Sequence, residues 1–444
     1  MMLNVGHDDE PQRAQLEVLV ITYDGLLEPM GSSQVLPYVD ALAQRGVRTR
    51  VLSFEKSSDL EGSRRRSALQ QRLDAAGIGW TPLRYHRRPR VVSTLIDIAL
   101  GTLTAIRMTR ERRVHVVHAR SYVPGLIGCS VKLFFGARFV FDMRGFWPEE
   151  RVEMGLFRPH GVLYRLSKRC ERFLLDISDH VVVLTESAKA ILRDREANTR
   201  MVARHEVREK PISVIPCCTD LGRFRPMPAD SVLKRDLGLG DTLVIGNIGS
   251  TNKRYMLSEM FRFAFHVKSH RPETRFVYLT RQDESRIRML AKEAGLHDDD
   301  LLVASSEPGD VPRWLSIFRL GVFFLRPSYA AKASSYTKLA EFLACGIPVV
   351  TNTGVGDVDK LLASNPCGVV VPGLTESDLQ AAARQALALL EGDEVPARAR
   401  SSCRATAEKY FDVDDGAREL LSIYRNLAFP DDAATRETVA VGVG

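Results

Sequence analysis

The alternation of strand-length apolar segments with helix-length segments limits most strongly how this 444-residue chain can fold. Parallel strands need long crossover connections, usually helices, so a chain that alternates throughout predicts parallel sheets covered by helices. Six strand-like segments fall in each half: LEVLVIT (16–22), TRVLSF (49–54), VHVVHA (114–119), ARFVFD (137–142), HVVVLT (180–185), ISVIP (212–216), TLVIGNI (242–248), TRFVYLT (274–280), LLVA (301–304), GVFFL (321–325), IPVVTN (347–352) and CGVVVP (367–372). The predicted fold class is α/β, with two doubly wound, Rossmann-like domains facing each other across a cleft.

The length also favours two domains, because a single core rarely extends beyond about 250–300 residues. The segment PCCTDLGRFRPMPAD contains three prolines and little periodicity, which is typical of an interdomain linker. The predicted organisation is a disordered tail (1–15), a first domain (16–215), the linker (216–230), a second domain (231–410), a final helix (411–427) and a second disordered tail (428–444). The final helix is positioned to pack back on the first domain.

Composition places the chain among globular proteins, with 45% hydrophobic and 26% charged residues. No apolar run reaches the roughly 20 residues of a membrane-spanning helix, and the N-terminal segment lacks the apolar region of a signal peptide. The expected location is therefore the cytoplasm. The seven cysteines form no C-x-x-C pair, which argues against a disulfide framework or a zinc site.

The formal net charge of +7 is concentrated in clusters at 64–66, 84–90 and 107–113. Nucleic acid is not predicted as a partner, because the aromatic residues of a single-strand platform do not interleave the basic ones. Two clusters flank the apolar segment VVSTLIDIALGTLTAI (91–106). They indicate either an anionic membrane surface, with the protein peripheral on the inner face of the membrane, or a solvated surface over a core helix.

The segment SSYTKLAEFLACGIPVVTN (334–352) carries the strongest functional signal. It predicts a helix that opens on Ser334 and Ser335, which cap the first turn, and that ends at a left-handed Gly346 before a buried strand. The free N–H groups of such a helix start, together with the positive end of its dipole, favour a phosphate group.

One face of this predicted helix collects Thr337, Lys338 and Glu341. Lys338 adds a full positive charge to the phosphate site. Glu341 lies one turn beyond Thr337, roughly 6 Å along the axis, where it can accept hydrogen bonds from a ribose diol. The pattern predicts a nucleotide-diphosphate site.

Loops after the first-half strands also carry polar residues, and doubly wound sheets bind ligands beyond the carboxyl ends of their strands. Gly31 and Ser32 are either a phosphate approach or a turn that needs glycine for geometry alone. Later strand ends are followed by His118, Arg120 and Tyr122, and then by Asp142, Arg144 and Trp147. An Arg fork suits a phosphate or a carboxylate, and Trp suits a sugar face. The alternatives are a structural histidine and an internal Asp–Arg pair that holds the loop.

Cations follow the strands of the second half. The segment GNIGSTNKRYM (246–256) places Lys253 and Arg254 beside glycines, which suits a diphosphate. An exposed basic turn would have the same sequence pattern. Arg326 and Lys332 precede the helix of 334–352. Several cations are thus predicted to converge on one cleft.

Together these residues resemble family 4 of the retaining GT-B glycosyltransferases. KLAEFLACGIPVV is similar to the hallmark helix of that family, in which a glutamate precedes a small-residue turn and a Pro-Val-Val strand. The order of VVHAR, SVIPCCTDLGRFRP and the glycine-lysine loop also fits, so the resemblance covers nearly the whole chain. It implies the GT-B fold, with an acceptor-side first domain and a nucleotide-sugar donor domain after the linker.

The resemblance also implies roles for individual residues. Glu341 would bind the ribose hydroxyls, Lys253 or else Arg254 would neutralise the leaving phosphate, and His118 would lie on the acceptor side. The implied catalytic residues are His118, Asp142, Arg144, Lys253 and Lys338. The implied donor-binding residues are Gly31, Ser32, Lys253, Arg254, Lys332, Ser334, Ser335, Thr337, Lys338, Leu339 and Glu341. The implied acceptor-side residues are Arg120, Tyr122 and Trp147.

The implied reaction moves a hexosyl unit from a UDP- or GDP-linked sugar to a saccharide or lipid-linked acceptor, with retention of configuration. It would serve surface polysaccharide or glycoconjugate synthesis. The nucleotide sugar is a co-substrate, and neither a cofactor nor a metal is expected, because lysines can neutralise the leaving group.

The chain departs from the family at two places. Ala333 stands where many members have a first glutamate, and the histidine that many carry near Arg144 is absent. Two alternatives therefore stay open, a GT-B sugar-nucleotide epimerase and a non-catalytic GT-B paralogue that acts as a binding partner.

Overall fold

The computed structural model describes residues 15–61, 64–194 and 210–430. The predicted disordered tails lie outside these residues, apart from residue 15 and residues 428–430. Every strand predicted from the apolar segments is present, and the sheets are parallel throughout.

The first sheet is built from seven strands. They are β1 (Glu17–Thr22), β2 (Arg48–Glu55), β3 (Gly79–Arg84), β4 (Val116–Arg120), β5 (Arg138–Asp142), β6 (His180–Val183) and β7 (Ile212–Val214). The accompanying helices are α1 (Pro29–Gln34), α2 (Leu36–Gln44), α3 (Ser57–Leu60), α4 (Arg64–Ala75), α5 (Arg90–Glu111), α6 (Tyr122–Phe135), α7 (Trp147–Glu153), α8 (Val162–Ile177) and α9 (Glu186–Arg193). The strand order is β3-β2-β1-β4-β5-β6-β7.

The second sheet has six strands. They are β8 (Val244–Ile248), β9 (Arg275–Leu279), β10 (Leu301–Ala304), β11 (Leu320–Val322), β12 (Val349–Asn352) and β13 (Gly368–Val371). The helices from the linker onward are α10 (Ser231–Asp236), α11 (Leu257–His270), α12 (Ser285–Glu293), α13 (Val311–Leu315), α14 (Thr337–Ala344), α15 (Val358–Ser364), α16 (Glu376–Ala388), α17 (Glu394–Tyr410) and α18 (Val413–Ala428). The order β10-β9-β8-β11-β12-β13 repeats the pattern of the first sheet.

Each sheet has a switch point, between β1 and β4 in the first and between β8 and β11 in the second. Successive connections leave these strands in opposite directions and open a crevice at their carboxyl ends, where doubly wound folds bind ligands. The strand order therefore places two crevices where the polar loops were predicted to matter.

Strand β3 was not predicted. Its sequence, GWTPLR, contains Pro82, and only Trp80 is buried. It pairs with β2 alone at the edge of the sheet, where proline is tolerated because one row of backbone groups needs no partner. An edge strand of this kind lacks the continuous apolar run that revealed the central strands.

The final helix, α18, packs on the first domain, next to α2. Leu420 and Tyr424 share a core with Tyr38, and an added Cβ on Gly416 would lie only 2.9 Å from the Tyr38 ring. The linker and the approach to α18 run side by side, since the Thr219 N–H donates to the Phe411 carbonyl over 2.8 Å. The chain therefore crosses between the domains twice at one place.

Candidate active site

A cavity of about 1160 Å³ lies between the two domains. The start of α1 and α2 forms one wall, the loops after β8, β9 and β10 form another, and the start of α14 closes the end. Residues that line it include Ser32, Ser33, Arg223, Gly249, Ser250, Tyr255, Thr280, Arg281, Ser335, Thr337, Lys338 and Glu341. The cavity lies at the carboxyl ends of the second-sheet strands, as the switch-point rule predicts.

Helix α14 begins at Thr337, so the prediction that it opens on Ser334 and Ser335 is wrong. Neither serine caps it. The Ser335 hydroxyl accepts from the Cys217 N–H over 3.1 Å, and Ser334 contacts an arginine described below. The first-turn N–H groups of an α-helix have no partner within the helix, and here that turn borders the cavity. The helix ends before Gly346, which has the predicted left-handed φ of 73°.

Lys338 is buried at the cavity wall, although it carries an ammonium group. Its Nζ donates to Asn247 Oδ1 over 2.9 Å and lies 4.3 Å from the centre of the Tyr255 ring. Burial lowers its pKa to about 7, against the opposing effect of Glu341. An incompletely compensated ammonium beside free helix N–H groups is suited to receive a diphosphate.

Glu341 borders the same cavity one turn further along α14. Burial raises its pKa to about 7, although Arg223 and Lys338 act in the opposite direction. A carboxylate at this distance from a phosphate-binding helix start is placed to accept hydrogen bonds from a sugar diol.

The loop after β8 approaches Lys338 through glycine. Gly249 has a φ of 112°, and a Cβ there would lie 3.5 Å from Lys338 Nζ. The Tyr278 hydroxyl donates to the Ser250 carbonyl over 3.0 Å and holds the loop in place. Any side chain at position 249 would occupy space next to the ammonium.

Sequence reasoning missed several residues that complete this wall. Asn247 was detectable, since it is a fully buried amide within the apolar strand TLVIGNI. Arg223 lies in the predicted linker and borders the cavity, where its charge acts on Glu341. Tyr255 had no sequence signal, because only the fold brings its ring under Lys338.

Lys253, predicted to neutralise the leaving phosphate, is exposed and does not line the cavity. Lys332 is exposed as well, and its carbonyl accepts from the Thr185 hydroxyl of the first domain over 2.8 Å. Leu339 faces the core of the second domain. Fewer cations therefore converge on the cleft than the sequence predicted, and Lys338 is the lysine that borders it.

Arg254 connects the two domains. Its guanidinium forms a 2.8 Å ion pair with Glu150 of α7 and donates to the Ser334 hydroxyl over 2.8 Å. Glu153 lies 3.9 Å away on the same helix. Arg254 is therefore engaged in an interdomain ion pair and Ser334 in a contact within the second domain, and neither residue lines the cavity.

The implied catalytic residues of the first domain lie apart from the main cavity, around a much smaller one of about 30 Å³. Asp142 Oδ2 is 3.6 Å from both Arg120 and Arg144, and 3.5 Å from His118 Nε2. The other ring nitrogen of His118 is 2.8 Å from the Tyr424 hydroxyl of α18. These groups form a buried network that joins the first sheet to the final helix.

The charged groups of this network stabilise one another in their ionised forms. Burial opposes ionisation of Asp142, but Arg144, His118 and Arg120 outweigh it and lower its pKa to about 2. Burial alone would lower the pKa of Arg144, whereas Asp142 raises it. The internal Asp–Arg pair that the sequence left open is thus present.

Two of the implied acceptor-side residues also pack inside the first domain. Tyr122 is buried, donates to Glu171 over 2.5 Å and stacks on Trp147 with ring centres 5.6 Å apart. Neither lines the cavity between the domains. Their aromatic surface is used in packing, so it is not presented to a sugar in this structure.

Among the described residues, no group of three or more His, Cys, Asp and Glu could hold a metal ion. The Asp-x-Asp spacing at 357–359 serves structure instead. Asp357 accepts from the Glu186 N–H over 2.6 Å at the start of α9, and Asp359 accepts from the Thr353 hydroxyl over 2.8 Å. Metal independence stays a prediction.

Gly31 lies within α1, and not in a loop facing the cavity. A Cβ at this position would lie 2.0 Å from the Gly25 carbonyl oxygen. The glycine is therefore needed for close backbone packing, whereas the neighbouring Ser32 lines the cavity.

We expect Gly31→Ala to lower the free energy of unfolding by about 1–3 kcal/mol, the usual cost of overpacking. Thermal unfolding measures the effect, with Ser32→Ala as the matched control. The Ser32 hydroxyl is exposed and donates only to the Pro29 carbonyl, so its removal should change stability by less than about 0.5 kcal/mol. Equal melting temperatures for both variants would contradict the packing role of Gly31.

Comparison with known proteins agrees with this geometry. A family described as "Glycosyl transferase 4-like domain" matches residues 31–207. Sucrose-phosphate synthase from Thermosynechococcus elongatus superposes with a TM-score of 0.69 at 16% identity, over 93% of this chain and 99% of that one. This chain has the GT-B fold.

Other solved structures share the fold. Anabaena Alr3699/HepE, solved in complex with UDP and glucose, has a TM-score of 0.65 at 14% identity, covering 92% of this chain and 99% of that chain. WaaG, a glycosyltransferase involved in lipopolysaccharide biosynthesis, has a TM-score of 0.61 at 15% identity, covering 90% and 98%. No curated protein matches the sequence. The predicted GT-B fold is confirmed, and the match to a glycosyl transferase 4-like domain covers most of the first domain.

Proposed function

We propose that this protein is a glycosyltransferase that moves a hexosyl unit from a UDP- or GDP-linked sugar to a saccharide or lipid-linked acceptor, with retention of anomeric configuration. The observation that carries the proposal is the joint placement of the α14 start, Lys338 and Glu341 on one interdomain cavity. A helix start with a buried lysine suits a diphosphate, and the carboxylate one turn away suits a ribose diol.

In the proposed reaction, the bond between the anomeric carbon and the diphosphate oxygen breaks, and a bond to the acceptor oxygen forms on the same face. The acceptor proton passes to the departing phosphate oxygen. Negative charge grows on the diphosphate, where Lys338 and the α14 N–H groups stabilise it, and such preorganised electrostatic stabilisation is usually the largest contribution to catalysis. The reaction so written requires neither a side-chain nucleophile nor a metal.

The contact to the donor sugar must differ from the one implied by the resemblance. Ala333 is 1% exposed and packs into the core of the first domain, so this position does not face the cavity. Arg281 and Thr280 line the cavity after β9 and offer other polar groups. We propose that the protein works in the cytoplasm, on the inner face of a membrane, in surface polysaccharide or glycoconjugate synthesis.

We expect Glu341→Ala to weaken binding of the nucleotide moiety at least about tenfold, because two hydrogen bonds to a charged acceptor are lost. Isothermal titration with UDP and GDP measures the change and identifies the base. Glu284→Ala, at an exposed position just before α12 on the second domain, is the matched control and should bind like the unchanged protein.

Turnover separates the proposal from its alternatives. With nucleotide sugar and acceptor, transfer should be detected, and the linkage should keep the configuration of the donor. Deuterium exchange at a sugar carbon without acceptor would instead indicate an epimerase. Tight nucleotide binding with no turnover on any donor and acceptor would indicate a non-catalytic paralogue.

A further inference from the structure

Three neighbouring helices of the first domain, α5, α6 and α8, present large apolar side chains to solvent. The helices pack side by side over one face of the first sheet. Leu95 and Leu103 of α5 are 60% and 65% exposed, Phe134 of α6 is 71% exposed, and Val162 and Leu166 of α8 are 80% and 54% exposed. We call the surface defined by these five residues the apolar face. Exposed apolar residues that continue across three elements are unusual for a surface without a partner.

The longest of these helices, α5, lies along the surface of the first domain. Contrary to the expectation from sequence, the helix segment Val91–Glu111 is long and apolar enough to cross a membrane by length and composition, and 28% of its most apolar stretch is buried. Its inner side, however, carries Asp97, which is fully buried, accepts from the Tyr23 hydroxyl over 2.6 Å and contacts His86 Nδ1 at 2.6 Å. A Cβ on Gly101 would lie 2.5 Å from Ile127 of α6. The helix is therefore anchored along the domain, with only its outer side available.

Positive charge surrounds the apolar face. Arg87 and Arg88 precede α5 and are exposed, as are Arg110 near its end and Arg165 and Arg169 on α8. The acidic residues of these helices are fewer and are engaged or enclosed. Glu111 pairs with Arg107, Asp97 and Glu171 are buried, and Asp176 is half-buried near the end of α8. Apolar side chains bordered by arginines match the interface of a bilayer that contains anionic lipids.

We propose that the apolar face docks on the surface of an anionic lipid bilayer, with the helices lying in the membrane interface. A second copy of the chain fits this face less well, because a two-fold contact would bring identical arginine borders together. Helices α5, α6 and α8 all start at the carboxyl edge of the first sheet, which is also the edge that borders the interdomain cavity. Docking would therefore bring the mouth of the cavity near the lipid surface. That consequence rests on the proposed transfer to a lipid-linked acceptor, whereas the docking itself does not.

Sedimentation of the full chain with vesicles tests the proposal. We expect binding to vesicles of phosphatidylglycerol and phosphatidylcholine in equal parts, and much weaker binding to phosphatidylcholine alone. The double variant Leu95→Glu/Leu103→Glu should bind the anionic vesicles at least about tenfold more weakly, since two exposed leucines no longer enter the interface. Met289→Glu, at a position that is 53% exposed on the second domain, is the control and should bind like the unchanged protein.

The charge requirement has its own variant. Arg165→Gln/Arg169→Gln should reduce the preference for anionic vesicles, and raising the salt concentration should do the same. An unchanged protein that stays in the supernatant with anionic vesicles would overturn the proposal. So would equal binding by the double leucine variant, or a concentration-dependent dimer that the leucine substitutions abolish.

Nucleotide binding without lipid keeps this test separate from the proposed function. All of these positions lie outside the cavity between the domains, so each variant should bind nucleotide and unfold thermally like the unchanged protein. A variant that loses vesicle binding but still binds nucleotide would show an effect on the apolar face alone. Intact vesicle binding without nucleotide binding or transfer would concern only the proposed reaction.

Discussion

Lys338→Met is expected to lower the affinity for a nucleotide diphosphate about 10- to 150-fold. The buried ammonium borders the cavity, and each hydrogen bond to a charged group is worth about 1.5–3 kcal/mol. Methionine retains most of the side-chain volume and its contact with Tyr255, so the loss should reflect charge. Titration with UDP and GDP measures it, and transfer should fall by at least the same factor, because the charge also stabilises the leaving group.

The control is Lys253→Met, which removes a lysine that is exposed and does not line the cavity. The two variants separate the two lysines that the sequence placed at the phosphates. If Lys253→Met lost nucleotide affinity while Lys338→Met kept it, the site would be assigned wrongly.

Lys338 and Glu341 together predict how nucleotide binding depends on pH. The pKa of Lys338 is about 7, so its charge is lost as pH rises through 7. The pKa of Glu341 is also about 7, so its charge is lost as pH falls through 7. Nucleotide affinity should therefore peak near neutral pH. Lys338→Arg should keep the nucleotide affinity high at alkaline pH, because a guanidinium stays charged. Glu341→Gln should reduce the loss of affinity at acidic pH, because an amide does not titrate.

Asp142→Asn is expected to lower the free energy of unfolding by about 3–5 kcal/mol. The carboxylate is buried between Arg120 and Arg144, and removing one partner of a buried ion pair leaves uncompensated charge. For a domain of this size, the melting temperature should fall by roughly 6–20 °C, as differential scanning calorimetry can measure. Transfer assayed well below the new melting temperature should persist, because Asp142 does not line the interdomain cavity.

Asp24→Asn provides the comparison, because Asp24 lies 3.4 Å from the same Arg120 but is 43% exposed. An exposed partner should change stability by no more than about 1 kcal/mol.

The buried carboxylate also predicts how stability depends on pH. The Asp142 pKa is lowered to about 2, so its stabilisation is complete above its ordinary pKa and disappears as pH falls through about 2. An unchanged melting temperature together with lost transfer would instead place Asp142 at the reaction.

Central strands were predictable because burial on both faces requires continuous apolar runs, as in β1 and β12. The edge strand β3 was not, because its single neighbour tolerates Pro82 and polar residues. The start of α14 was predicted three residues early, since the serines that could cap it contact Cys217 of the linker and Arg254 instead.

The candidate site shows the same division. Lys338 and Glu341 were predictable because spacing along one helix fixes their common side. Asp142 and Arg144 follow a strand end like site residues, but the packing of α18 against the first sheet encloses them. Arg254 resembles a phosphate ligand in sequence, yet Glu150 on a different domain binds it.

Local periodicity and spacing were enough to predict the alternation of strands and helices, the two-domain organisation and the helix that carries Lys338 and Glu341. Which charged residues border the cavity, and which pair inside the protein, depends instead on how the chain packs in three dimensions. Whether a cation meets a substrate or a carboxylate depends on contacts between residues about one hundred positions apart, such as Arg254 and Glu150. Local sequence does not encode those distances.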